Sequence, residues 1–376
     1  MKKIQMVDLK SQYDFIKQGV AVTMDEVLKT TSFINGPMVQ AFQSDLEAYL
    51  GVKHVIPCAN GTDALQIALM GLQLVPGDEV ITADFTFAAT VEVISLLKLK
   101  PVLVDVDPKT FNIDPKAIEK AITPKTKAII PVHLFGQCAD MDSILEIANK
   151  HDLAMVEDNA QGIGATHTFE DGTKAKTGTL GHISATSFFP SKNLGAYGDG
   201  GAIFTNDDDL AHFIRGIVNH GMYTRYYHDV VGVNSRLDAL QAAVLKVKLQ
   251  YLDFYNERRK EAAIRYTNYF KNHDQLITPF RSKDCDSHVF HQYTLRVLKA
   301  DRDALVAHLN KHQIPCGVYY PVPLHAQKAY ADPSVDPANF PVTNQLVKEV
   351  ISLPMHSELT TDQIEYIAST VLDFFN

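Results

Sequence analysis

Ile183-Ser184-Ala185-Thr186-Ser187-Phe188-Phe189-Pro190-Ser191-Lys192-Asn193-Leu194-Gly195 begins as an apolar strand and ends around a single lysine boxed between Pro190 and Gly195. The chain then turns through Ala196-Tyr197-Gly198-Asp199-Gly200-Gly201 into a second strand, Ala202-Ile203-Phe204-Thr205. Lys192 therefore sits at a strand end. A lysine amine attacks carbonyls only when its neutral form is populated, which requires desolvation or a neighbouring cation. Burial beside Phe188 and Phe189 would supply the desolvation. Taken alone, Lys192 reads as an ordinary surface lysine in a strand-to-loop turn, so the residues upstream decide.

Upstream, short and nearly continuous apolar runs alternate with amphipathic ones. Strands are predicted at 54–59, 79–82, 101–106, 127–132 and 153–158, with helices across 63–74, 88–97 and 141–150. That alternation predicts an α/β fold: a mostly parallel sheet with helices on both faces and ligands beyond the carboxyl ends of its strands. The first fifty residues read as a helical arm and lead-in helix, with Asn35-Gly36-Pro37 as the turn. One long helix is predicted over 237–260, bridging from a large domain at residues 1–250 to a smaller α/β domain at 251–376.

The chain has 376 residues, 46% hydrophobic and 21% charged, which describes a soluble globular protein with a sizeable core. A formal net charge of −9 argues against general nucleic-acid binding. No run of about eighteen apolar residues suggests a membrane span. Cys58, Cys138, Cys285 and Cys316 are scattered without a CxxC pair, so a reduced, cytoplasmic protein is expected. The run Cys285-Asp286-Ser287-His288-Val289-Phe290-His291 and the pair His308 and His312 have metal-like spacings but no evident ligand set, and no metal is expected. His133 and His220 read as loop-ordering residues, and Asp207-Asp208-Asp209 as an exposed turn and helix cap.

Two further strand ends bear on Lys192. Cys58-Ala59-Asn60-Gly61-Thr62-Asp63 turns through glycine into a helix start, whose free amides and dipole suit a phosphate, although Thr62 or Asp63 would serve equally as a plain cap. Glu157-Asp158-Asn159-Ala160-Gln161 places a carboxylate where it could pair with a heteroaromatic nitrogen, or simply cap the next helix. The combination is what counts. A glycine turn with Thr62, an aromatic at Phe87, Asp158 with Gln161, and Ser187 ahead of Lys192 are the parts of a pyridoxal phosphate site: phosphate cradle, ring platform, pyridinium partner and Schiff-base lysine.

The whole chain resembles the DegT/DnrJ/EryC1/StrS sugar aminotransferases, within fold type I of the pyridoxal-phosphate enzymes, which is aspartate aminotransferase-like. The resemblance lies in Ala59-Asn60-Gly61-Thr62-Asp63-Ala64-Leu65, Pro131-Val132-His133-Leu134-Phe135-Gly136-Gln137, Glu157 to Gln161, Ser187 to Lys192, and Gly232-Val233-Asn234-Ser235-Arg236-Leu237. It implies pyridoxal 5'-phosphate as cofactor, with Lys192 as the catalytic lysine and Asp158 as the ring-nitrogen partner. Gln161 would bond the ring hydroxyl and Phe87 would stack on the ring. Gly61, Thr62 and Ser187 would hold the phosphate, and Asn234 would reach it from the other subunit of a homodimer. Some relatives are dehydratases with histidine in place of the lysine, which Lys192 argues against.

Within the family the chain is most similar to enzymes that aminate UDP-2-acetamido-2-deoxy-3-oxo-glucuronate at carbon 3, with glutamate as donor, for bacterial surface polysaccharide. Alternatives are a dTDP-3-amino or 4-amino deoxysugar aminotransferase and a non-catalytic, cofactor-bound regulator or sensor. Many relatives have His-Tyr-Pro where this chain has Tyr319-Tyr320-Pro321, followed by Leu324-His325. Tyr319, Tyr320 and His325 are expected around the sugar. Arg236, Tyr320 and Arg225 are expected at the uronate carboxylate, whose geometry suits an arginine fork, or else the two arginines in the subunit interface.

Overall fold

The computed structural model describes residues 3–281 and 285–376. Two N-terminal helices, α1 (Leu9–Thr30) and α2 (Pro37–Leu50), precede a βα series. The series runs β1 (His54–Cys58), α3 (Gly61–Gly71), β2 (Glu79–Ala83), α4 (Ala89–Leu96), β3 (Lys100–Val104), α5 (Pro115–Ala121), β4 (Thr126–Ile130), α6 (Met141–His151) and β5 (Ala154–Asp158). A hairpin follows, β6 (Thr166–Thr168) with β7 (Lys174–Lys176), then β8 (Ile183–Ser187), β9 (Gly201–Thr205) and α7 (Asp208–Ile217). Asp207 caps α7 by accepting from the Leu210 amide.

The seven strands of the main sheet lie in the order β1-β9-β8-β5-β4-β2-β3. β9 pairs antiparallel with both of its neighbours, while the other pairings are parallel. Because side chains alternate across a strand, adjacent apolar residues serve opposite faces. Val80, Ala128, Ile130 and Val156 pack beneath α3, α4 and α7. Ile81, Ile129 and Met155 pack against α5 and α6. This two-sided burial is why the strands read as continuous apolar runs.

A second hairpin, β10 (Met222–Thr224) with β11 (Tyr227–His228), leads to α8 (Ala239–Leu249) and α9 (Leu252–Phe270). The single helix expected over 237–260 is thus two. Tyr251, at φ −109° and ψ 3°, leaves the helical conformation, and its ring packs edge-on against Phe15 of α1 at 5.4 Å. Apolar periodicity runs through the break, so only this packing marks it. β12 (Leu276–Ile277), β13 (Tyr293–Val297), α10 (Arg302–Lys311), α11 (Pro341–Glu349), β14 (Val350–Leu353) and α12 (Thr361–Asp373) complete the chain. The three strands form a small antiparallel sheet whose core is closed by α9, α10 and α12. Among the described residues no helix is long and apolar enough to cross a membrane.

Candidate active site

The carboxyl ends of β1, β5 and β8 converge on a cavity of about 620 Å3. Glu157 and Asp158 end β5, and the strand pleat sends them to opposite faces. Glu157 is fully buried and accepts four hydrogen bonds: from the amides of Leu180 and Gly181 at 2.7 Å, from that of Gly178 at 2.8 Å, and from His133 Nε2 at 2.9 Å. A buried carboxylate so satisfied anchors the strand end; deleting it would cost on the order of 3–5 kcal/mol. His133 therefore orders a loop.

Asp158 faces the cavity. Its Oδ2 accepts from Thr90 Oγ1 at 2.9 Å and its Oδ1 from the Ala160 amide at 3.1 Å. Burial pushes its carboxyl above the usual range, opposed by those two bonds and by the charge of Lys192. Lys192 keeps some exposed surface within the cavity, yet surrounding protein pushes its amine down to about 8, with the Asp158 charge working the other way. The desolvation does not come from both flanking aromatics. Phe188 turns into the core against Phe42, centroids 5.5 Å apart, and only Phe189 lines the cavity.

The loop that carries Lys192 is held from several sides. Asn193 Nδ2 donates to Asn256 Oδ1 at 2.7 Å and to the Val289 carbonyl at 3.2 Å, while its Oδ1 lies 3.3 Å from His291 Nδ1. Lys248, buried and pushed down to about 7 by desolvation, donates to the Gly195 carbonyl at 2.6 Å. His291 lines the cavity, and burial holds its imidazole well below the usual range, hence neutral.

At the start of α3 the cap is Asn60, whose Oδ1 accepts from the Asp63 amide at 2.8 Å, rather than Thr62 or Asp63. Gly61 and Thr62, left free of capping duty, line the cavity with Ser187. A Cβ on Gly61 would come within 2.6 Å of Ser187 Cβ, so glycine is what lets the helix start approach the strand end. The first-turn amides and helix dipole make this an anion cradle.

Gln161 Oε1 accepts from the Phe135 amide at 2.6 Å, which orients Nε2 toward Tyr320 OH at 3.3 Å. Phe87, 56% exposed, lines the same cavity, with its ring 6.2 Å from that of Tyr320. Tyr319 and Tyr320 also line it.

Four expected residues lie elsewhere. His325 does not line the cavity: its amide and Nδ1 both bond the buried Asp84 carboxylate at 2.7 Å, and its ring stacks on Phe340. Asn234 and Arg236 line an adjoining space of about 570 Å3 that shares Asn60 and Asp199 with the first. Arg236 donates to Asn219 Oδ1 at 3.3 Å, and its Nε is buried without a partner among the described residues. Arg225 sits at the exposed turn of the β10–β11 hairpin, over the Tyr226 ring.

Thr90, His291 and Gln292 belong to the site, and no spacing in the sequence points any of them to this cavity; that of His291 suggests only a metal-like pattern. Thr90 lies in a run that reads as a packing face. His291 and Gln292 arrive by tertiary approach, with the Gln292 amide bonding the Phe135 carbonyl at 3.2 Å. Among the described residues no group of three or more His, Cys, Asp or Glu side chains is arranged to hold a metal ion, and the side chain of Cys285 lies outside them. A more open groove of about 930 Å3 between Lys3 and Tyr366 holds no carboxylate among its described residues.

The donor set fits pyridoxal phosphate: an anion cradle, a buried carboxylate and a desolvated amine open into one cavity with an aromatic ring beside them. The comparisons agree. The chain is 46% identical over 368 residues to a UDP-2-acetamido-2-deoxy-3-oxo-D-glucuronate aminotransferase of Pseudomonas aeruginosa, covering 98% of this chain and 99% of the relative. It is also 46% identical over 374 residues to a pleiotropic regulatory protein of Geobacillus stearothermophilus, covering 99% and 98%. The crystal structure of a DegT DnrJ EryC1 StrS aminotransferase from Brucella abortus superposes with a TM-score of 0.93 at 40% identity over 99% of both chains. Residues 16–372 match the DegT/DnrJ/EryC1/StrS aminotransferase family, and the chain belongs to that family of pyridoxal-phosphate-dependent enzymes.

Proposed function

We propose that this enzyme moves an amino group from glutamate to carbon 3 of UDP-2-acetamido-2-deoxy-3-oxo-glucuronate, for bacterial surface polysaccharide. The observation that carries the reaction type is the desolvated Lys192 amine sharing a cavity with the buried Asp158. The sugar rests on the 46% identity, along nearly the whole chain, to the Pseudomonas enzyme.

Bound pyridoxal phosphate supplies an electrophilic carbonyl and, with its ring nitrogen protonated, an electron sink. Asp158 would hold the proton on that nitrogen, and Thr90 holds Asp158. Lys192 Nζ would hold the cofactor's carbonyl carbon, and as a desolvated amine it would take up and return a proton at Nζ. Gln161 Nε2 has a second N–H that would serve the ring hydroxyl, and Phe87 would cover a ring face. Gly61, Thr62 and Ser187 take the phosphate. Tyr319 and Tyr320 bound the sugar, and His325, tied to Asp84, holds the segment behind them. Gly61→Ala is expected to weaken cofactor binding about tenfold or more, by about 1.4 kcal/mol, in equilibrium titration of the apoprotein.

A homodimer completes this reading. Phe33, Ile34, Tyr226, Tyr227 and Val231 are between 43% and 87% exposed, an apolar surface that a second copy would cover. Asn234 and Arg236 would then reach the partner's phosphate site, and Arg236 with Arg225 the substrate carboxylate. Light scattering should give about twice the 41.7 kDa chain mass; a monomer at micromolar concentration would remove this part.

The likeness to the Geobacillus regulatory protein favours one second reading, a cofactor-bound sensor without turnover. Glutamate added to the holoprotein distinguishes them: the visible cofactor band should shift, and a band that stays put supports the sensor. Turnover is expected with the UDP-linked 3-keto uronate and not with dTDP-linked keto deoxyhexoses. Activity with the latter alone overturns the choice of sugar.

A further inference from the structure

Cys138, Asp142 and His167 meet outside the Lys192 cavity, since none of them lines it. Cys138 follows the 3-10 turn Leu134–Gly136, Asp142 lies in the first turn of α6, and His167 is the middle residue of β6, in register with Ala175 of β7. Cys138 Sγ lies 3.8 Å from His167 Nδ1, and His167 Nε2 lies 3.0 Å from Asp142 Oδ2. The Phe169 ring packs edge-on against the imidazole, centroids 4.7 Å apart, and holds its plane. A carboxylate has no proton to give, so Nε2 donates to Asp142 and Nδ1 is left as the acceptor facing the thiol. That order lets the imidazole take the thiol proton while Asp142 stabilises the resulting cation. The relay opens to solvent, with the His167 side chain 12% exposed and that of Asp142 31%.

We propose that Cys138 is a nucleophilic thiol at neutral pH, a covalent modification site for small soft electrophiles, activated by His167 and oriented through Asp142. The site is independent of amino transfer and of the cofactor. With iodoacetamide as the electrophile, Sγ attacks the methylene carbon, the S–C bond forms and the C–I bond breaks. Iodide leaves, and the thiol proton rests on His167 Nδ1 until water takes it. The cysteine also stitches the cavity-lining turn to its surroundings, its amide donating to the Ser287 carbonyl at 2.8 Å and its carbonyl accepting from Asn112 Nδ2 at 3.2 Å.

Cys316 is the internal reference. It is more exposed than Cys138, which has 8% of its surface accessible, but burial pushes its thiol up to about 11. The holoprotein is labelled with limiting iodoacetamide at pH 7, and each cysteine is followed by peptide mass spectrometry. Cys138 should react about tenfold or more faster than Cys316 despite its smaller accessible surface. His167→Gln and Asp142→Asn should each bring Cys138 down to the Cys316 rate, while an unchanged Cys316 rate shows that the fold is intact. Cys138 no faster than Cys316 in the wild type, or still fast in both variants, overturns the proposal.

Discussion

Lys192→Ala should abolish turnover, with kcat reduced by at least about 10⁴-fold, because among the described residues no other amine lines the cavity. Lys248 is also buried and pushed down to about 7, but its Nζ is committed to the Gly195 carbonyl and it does not line the cavity. Lys192→Arg should be equally inactive. It keeps a cation near Asp158, but a guanidinium does not give up its proton, so this variant separates charge from nucleophile. Neither loss should come through unfolding. Burial lowers the Lys192 amine from 10.5 to about 8, so the unfolded chain binds that proton more tightly. The charged lysine therefore opposes folding below about pH 8, and the penalty fades as pH rises toward 10.5. At pH 7, Lys192→Ala should melt within about 3 °C of the wild type. Single-turnover production of 2-oxoglutarate from glutamate, beside a thermal melt, checks both statements; activity within tenfold of the wild type would falsify the assignment of Lys192.

The βα series was legible because each parallel strand is buried on both faces and so appears as a short apolar run between amphipathic ones. The antiparallel course of β9 was not, since a strand's direction leaves no mark on its own residues. The break between α8 and α9 was hidden because Leu249 and Leu252 are both buried, so apolar spacing continues across Tyr251. The cap of α3 was misplaced by two or three residues because Asn60, Thr62 and Asp63 can all cap; only the extended backbone at Asn60, φ −165°, decides. That Gly61, Asp158, Ser187 and Lys192 line one cavity was legible because they lie at or just beyond strand ends or begin a helix, where the fold opens clefts. His325 was read as a sugar contact because Asp84, its buried partner 241 residues away, stood in an aromatic stretch with no sign of its charge being spent.

Asp158→Asn should lower kcat about 10³-fold while KM for glutamate changes little, since the carboxylate acts on the cofactor ring and not on the donor. Asparagine is nearly isosteric; its one oxygen can accept from the Ala160 amide while its Nδ2 donates to the Thr90 hydroxyl oxygen, so the fold should persist. What disappears is the negative charge that we propose keeps the ring nitrogen protonated. Burial works against that charge: it pushes the Asp158 carboxyl up, and the Thr90 hydroxyl, the Ala160 amide and the Lys192 charge hold it down, in that order of weight. Thr90→Val removes the first of these. The carboxyl should then rise further, so the acid limb of the rate against pH should move to higher pH, with kcat at neutral pH about tenfold lower. The order of effects, Asp158→Asn larger than Thr90→Val and only the latter recovering as pH rises, is specific to a carboxylate whose ionisation matters. If Asp158→Asn instead raised KM alone, or if Thr90→Val left the acid limb unmoved, Asp158 would be a structural cap on the end of β5 and the electron sink would need another partner.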